Sequence, residues 1–221
     1  MTIQQGEYLA VRKAIASIPG DVSNDAVGAY APKLNDIYAP ETHAAALDPA
    51  TPIVVGSRGT GKSFWAGVLG QQKTRETAAK AYPRLGLKAV RVAFGYTGVA
   101  GPEGIGIDAL NHIIPANADA DQAKAFWWAT ILRAAAHSTA GPGPKLSDFV
   151  LAAVNWEARE TLLLQHENQL SADKKTLLVV YDALDTVATT WPRQRLITEA
   201  LLAVVWAMRA YRAIKIIGLC T

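Results

Sequence analysis

The sequence predicts an α/β fold built on a parallel sheet. Short apolar runs at 52–55, 87–94, 176–181 and 213–219 have the length and Val/Ile/Leu content of buried strands. Between them lie segments with helical spacing, long enough for the crossovers that parallel neighbours require. The third observation is size: 221 residues, half of them hydrophobic and 19% charged, supply one core of this kind and exclude a disordered chain.

The elements follow in order. Residues 1–50 read as a short helical segment, with Tyr8, Leu9, Val11, Ile15 and Ile18 at helical spacing until Pro19-Gly20 stops them. Residues 36–40 form a loop, and 41–47 make one or two helical turns. The core then runs from 51 to 221. Its first strand, 52–55, ends in glycine and is followed by a helix over 63–72. The second strand, 87–94, leads into a glycine-rich loop over 97–106. A helix over 121–138 carries Phe126, Trp127, Ile131, Leu132 and Ala135 along one side, with Asp121 as its cap. Of the adjacent Trp127 and Trp128, the spacing sends one inward and one toward a partner, with core packing as the plainer role for both. Gly141-Pro142-Gly143-Pro144 breaks the chain before helices at 147–154 and 156–170. The third strand, 176–181, precedes a long helix over 190–212 that carries Pro192 near its start, where a missing N–H costs little. The fourth strand closes the chain.

Composition narrows the partners. A net charge of +3 makes neither half a polycation, so charge supports neither nucleic acid nor an anionic membrane. The single cysteine, Cys220, excludes an intramolecular disulfide and fits a reducing compartment. With no apolar leader and no run long enough to span a bilayer, a cytoplasmic protein is expected.

One stretch carries chemistry. Gly56-Ser57-Arg58-Gly59-Thr60-Gly61-Lys62-Ser63 matches G-x-x-x-x-G-K-[ST] without a gap, between a strand and a helix. Its glycines let backbone N–H groups turn inward around a phosphate, and the helix starting near Lys62, with Phe64 in its first turn, adds its N-terminal dipole. Lys62 would reach the β- and γ-phosphates, and the Ser63 hydroxyl would ligate Mg²⁺. Leu177-Leu178-Val179-Val180-Tyr181-Asp182 then ends a buried strand in a carboxylate, which is costly unless it faces a cation or donors.

These residues, with Asp182-Ala183-Leu184-Asp185, resemble the P-loop NTPases of the ASCE division. The last string is most similar to STAND (NACHT- and KAP-like) and AAA+-related ATPases. The resemblance implies a three-layer fold with sheet order 5-1-4-3-2. The four strands here map to 1-4-3-2, with strand 5 missing and the core ending just past strand 4, so self-association through the edge of strand 1 is expected. It also implies that Asp182 holds Mg²⁺ through water and that a downstream acid polarises the attacking water. Many of these ATPases place Glu directly after the Mg²⁺-binding Asp. Here that residue is Ala183, which leaves Asp185 as the nearest acid. A Ras-like GTPase would carry Asp-x-x-Gly and Asn-Lys-x-Asp, and an ABC ATPase a Leu-Ser-Gly-Gly-Gln-like signature. None of these is present.

The expected function is therefore Mg²⁺-ATP binding with slow hydrolysis coupled to a conformational switch, with Lys62, Asp182 and Asp185 as the catalytic set. The phosphate-holding residues are Gly56, Ser57, Arg58, Gly59, Thr60, Gly61, Lys62, Ser63 and Phe64; Ser63 and Asp182 serve the metal. A non-hydrolysing assembly module and a small-molecule kinase stand as alternatives. By the same resemblance an arginine finger would come from a neighbouring subunit, with Arg209 and Arg212 as candidates, and Thr221 could stand at a polar sensor position. Other features read blandly. Gly104-Ile105-Gly106 is loop, the run from Lys73 to Arg91 is a solvated basic face, and the four histidines have no zinc-ligand spacing.

Overall fold

A computed structural model describes residues 12, 32–57, 59–101, 104–141 and 145–220. The helical spacing expected around Tyr8 to Ile18, and Arg58 and Thr221, lie outside the described residues.

The chain is α/β with a parallel four-stranded sheet of β1 (Ile53–Val55), β2 (Val90–Phe94), β5 (Thr176–Tyr181) and β6 (Ile214–Cys220), ordered β1-β6-β5-β2. The four segments expected to be strands are all here. The segment expected to be a glycine-rich loop contributes two more, β3 (Tyr96–Gly98) and β4 (Ile105–Gly106), paired parallel in a second small sheet. Chain numbering therefore runs β1-β6-β5-β2 where 1-4-3-2 was expected. Local composition hid these strands: Ile105 and Gly106 are buried, and Ile105 donates its N–H to the Gly95 carbonyl.

Alternation along the strands divides the interior in two. Leu177, Val179 and Tyr181 face one core, and Leu178 and Val180 the other. On β6, Ile214 and Ile216 join the first core while Ile217 and Leu219 join the second. Helices cover both faces. The second core is closed by α2 (Lys62–Gly70) and α3 (Gln72–Ala81), with Leu47 of the short helix α1 (Ala44–Leu47). The first is closed by α4 (Ile107–Ile113), α5 (Ala120–Ala140), α6 (Leu146–Val154), α7 (Trp156–Ala172) and α8 (Trp191–Ala207).

Several boundaries differ from expectation for definable reasons. The helix after the glycine-rich turn stops at Gly70. Gln71 is extended, and the chain restarts as α3, where Thr74 donates its hydroxyl to the Val68 carbonyl across the break. The basic run thus begins on a packed helix, and Arg75 is spent on the Leu69 carbonyl rather than solvated. Helix α5 is capped by Asp119, whose carboxylate accepts from Asp121 and Gln122 N–H in a capping box, so Asp121 falls in the first turn and pairs with Lys124. Helix α8 ends at Ala207, and a 3₁₀ turn, Met208–Ala210, finishes the stretch expected to be helical to 212. Both tryptophans are internal: Trp127 packs edge-on against Tyr96, Phe126 and Tyr181, and Trp128, only 8% exposed, is roofed by the Arg159 guanidinium 4.7 Å from its ring.

The start of β6 is held by a side chain that no local pattern announced. Glu167 on α7 accepts N–H bonds from Arg212 (2.6 Å), Ala213 (2.8 Å) and Ile214 (3.1 Å). Hydrogen bonds to a charged group contribute more than neutral ones, and removing the acceptor strands three amides. Glu167→Ala should cost about 3 kcal/mol of stability, read as a lower urea midpoint with unchanged slope. Glu167→Asp, one methylene shorter, should recover only part of it.

Candidate functional site

The site forms at the carboxyl end of the parallel strands. The 56–63 turn leaves β1 and is anchored at its first residue, where Gly56 N–H donates to the Cys220 carbonyl at the end of β6 (3.1 Å). Gly59 and Gly61 both lie in the left-handed region, φ +82° and +84°, and a Cβ on either would meet nothing within 4 Å. Backbone conformation, not space, reserves these two positions for glycine. The hydroxyl of Thr60 donates back to the Ser57 carbonyl (2.9 Å), closing the turn.

Helix α2 starts at Lys62, and Trp65 N–H is the donor that reaches the Gly61 carbonyl (3.0 Å). The amides of Lys62 and Ser63 therefore belong to the first turn of the helix, where donors and the positive end of the helix dipole converge. Phe64 packs its ring edge-on to Trp65. Trp65 in turn donates its indole N–H to His43 Nδ1 (3.0 Å), tying the helix to the segment that precedes β1. The Lys62 ammonium folds back over the turn and donates to the carbonyls of Gly56 (2.6 Å) and Ser57 (2.8 Å).

Asp182 closes the site from β5. It is 3% exposed, and its main chain is fixed by the N–H bond to the Tyr96 carbonyl of β3 (2.9 Å). Its Oδ1 accepts the Ala183 N–H (2.7 Å), while Oδ2 is buried and has no hydrogen-bond partner among the described residues. Burial pushes this carboxyl above the ordinary aspartate range. The Ser63 hydroxyl, the Ala183 amide and the Lys62 charge oppose the rise, and Asp185 reinforces it. Residues far apart in sequence thus meet: Lys62 and Ser63 lie within interaction range of Asp182.

Asp185 sits half-buried in a 3₁₀ turn, Leu184–Thr186, and does not cap α8, whose N-terminal residue Thr190 makes no side-chain cap bond either. Its charge acts on Asp182, Tyr96 and Cys220. The turn begins at Ala183, which adopts φ +55°, a left-handed conformation that costs a residue with a Cβ about 1–2 kcal/mol.

Sequence reasoning missed the support behind Asp182. Tyr96 OH and Thr186 Oγ1 share a hydrogen bond (3.1 Å), and Thr186 donates to the Ala183 carbonyl (2.7 Å). Beneath it, Tyr181 OH and Thr130 Oγ1 are 2.6 Å apart in a fully buried pair. The tyrosine immediately before Asp182 was the only local signal. Cys220, at the end of β6, also borders the site. It stands in register with Val55, and burial raises its thiol while the nearby Lys62 charge lowers it. Among the described residues no group of three or more His, Cys, Asp or Glu side chains could hold a metal by itself. No helix among them is long and apolar enough to cross a membrane. Comparison of the chain with protein-family models, curated proteins and solved structures returns no match.

Proposed function

We propose that this chain is a P-loop nucleotide-binding protein that takes Mg²⁺-ATP in the 56–63 turn and hydrolyses it slowly as a conformational switch. The observation that carries the reading is Asp182. A buried carboxylate with an orphaned oxygen, beside a serine hydroxyl and a lysine ammonium, makes sense as half of a site for a hydrated cation. The sheet supports it too. In the order β1-β6-β5, one strand separates the turn from Asp182, and helices cover both faces, as a three-layer P-loop fold requires.

The residues fit magnesium. Substrate phosphates and retained waters supply most oxygens to such an ion, so a hydroxyl and one carboxylate suffice and no three-residue cluster is needed. Ser63 Oγ would ligate it, and Asp182 would hold its water. When bound, the ion would neutralise phosphate charge. The chain does the rest. Lys62 exchanges its two carbonyl acceptors for phosphate oxygens, the amides of the turn and of the first helical turn donate to them, and Asp185 orients the attacking water and takes its proton. ATP is preferred over GTP on the resemblance to ATPases together with the lack of a guanine-reading motif in the sequence.

The non-hydrolysing assembly module is kept as a second reading by a specific feature. Ala183 occupies the position after Asp182 and is turned left-handed, so hydrolysis rests on the half-buried Asp185 alone. Titration with a fluorescent ATP analogue, with and without Mg²⁺, tests binding, and phosphate release tests turnover. Saturable Mg²⁺-dependent binding with release supports the switch, binding without release the assembly module, and absence of binding removes both. Where release is measurable, Asp185→Asn should lower it by about 10²-fold or more with affinity unchanged, the range for losing a general base. Equal release by Asp185→Asn would show that another group handles the proton.

A further inference from the structure

A second candidate site lies at the opposite end of β6 and owes nothing to the nucleotide reading. Strand β1 is three residues long and pairs only with Gly218, Leu219 and Cys220. The Gly218 N–H still donates to the Pro52 carbonyl, but proline has no N–H to return, and the chain before it turns away through Asp48 and Thr51. Among the described residues no strand pairs with the Ile214–Ile216 stretch on this side. Because main-chain groups alternate along a strand, Ile216 presents its N–H and carbonyl to the same edge as Gly218. Among the described residues this edge of β6 is therefore paired from Gly218 onward and unpaired at Ile216, while the Ile214 N–H is already held by the Glu167 carboxylate.

The Ile214–Ile216 stretch forms the floor of a groove of about 610 Å³. On one flank stand Leu202, Val205 and Trp206 of α8, and on the other Pro49 and Pro52. Trp206 is 71% exposed, large for an aromatic, and no element among the described residues covers it. The charges have one sign. Arg209 lies over the Trp206 ring at 4.4 Å, and Lys215 donates to the Tyr211 carbonyl at 2.9 Å. Neither cation is ion-paired among the described residues, and no acid lines the groove.

We propose that this groove binds an extended, acidic peptide segment of a partner protein by strand addition to the edge of β6 at Ile216. Each feature selects that occupant. Open strand edges are completed by another backbone, which a lipid or small anion lacks. The two flanks take apolar side chains that alternate to either side of an added strand. Arg209 on one flank and Lys215 on the floor attract carboxylates and repel basic segments.

The test uses the full chain and two fluorescein-labelled octapeptides with valine-rich centres, one flanked by glutamates and one by lysines. Fluorescence anisotropy should show saturable binding of the glutamate peptide, at least tenfold tighter than the lysine peptide. Arg209→Glu, on an exposed side chain, should remove that preference, and Lys215→Glu should act in the same direction. Methylating alternate backbone nitrogens of the peptide should weaken binding tenfold or more, which an electrostatic contact without strand pairing would not do. Equal affinity for both peptides, or insensitivity to Arg209→Glu with an unchanged thermal melt, would overturn the proposal. So would a concentration-dependent dimer abolished by Arg209→Glu, because the occupant would then be a second copy of the chain.

Discussion

Lys62→Ala should reduce affinity for Mg²⁺-ATP by about a hundredfold while leaving the chain folded. The ammonium donates to Gly56 and Ser57 carbonyls at 2.6 and 2.8 Å, so in the free protein it pins the turn it belongs to. On binding it would trade these neutral acceptors for phosphate oxygens, and charge-assisted bonds of that kind are worth about 1.5–3 kcal/mol each. Nothing in either core depends on it, because Lys62 is half-buried at the rim and α2 packs through Trp65, Ala66, Val68 and Leu69. Titration calorimetry beside a thermal melt separates the two effects. Unchanged affinity in a folded variant would mean that the turn does not hold phosphate. Lys62→Arg should restore charge but not binding, since a planar fork replaces a point donor in a turn shaped for the smaller group.

Asp182→Asn should have effects of opposite sign on binding and on stability. Without nucleotide, the native chain carries a buried carboxylate with one unpartnered oxygen, whose proton affinity burial has raised. A carboxyl that binds its proton more tightly folded than unfolded lowers stability as pH rises from its ordinary value through its raised one. The amide carries no charge to desolvate, so the variant should melt higher than the native chain at neutral pH. The gap should open as pH rises through that window and stay constant above it. Relief of an unsatisfied buried group is worth about 1–3 kcal/mol. With nucleotide present the order should reverse, since the variant loses the charge that favours a hydrated cation, and added Mg²⁺ should no longer tighten binding. A purely structural Asp182 would give destabilisation with no change in Mg²⁺ dependence.

The two expectations rest on different kinds of information. The 56–63 turn was legible residue by residue, because a tight strand-to-helix turn of this kind places Gly59 and Gly61 at positive φ and a lysine at the head of the helix within a few residues. The strands were legible as well. A segment such as 177–180, buried on both faces, has to be apolar at every position, and that marks the sequence wherever it occurs. Both signals are local.

What tertiary structure alone decided is non-local. That Ser63 stands at Asp182 follows from β6 pairing between β1 and β5 in one particular register, which no window of residues encodes. Tyr96, Thr186 and Thr130 support the carboxylate only after β3 folds beside β5 and α5 lies beneath it. The strands β3 and β4 escaped notice because five glycines and prolines look like a loop until a neighbouring backbone supplies their hydrogen bonds. Glu167 reads as one more charge on a surface helix, yet it caps β6 from α7. The unpaired edge of β6 at Ile216 has the same origin. Proline at 52 can be read from the sequence, but the edge left unpaired among the described residues exists only because β6 begins before β1 does, and an unmade hydrogen bond is a property of two strands and not of either one.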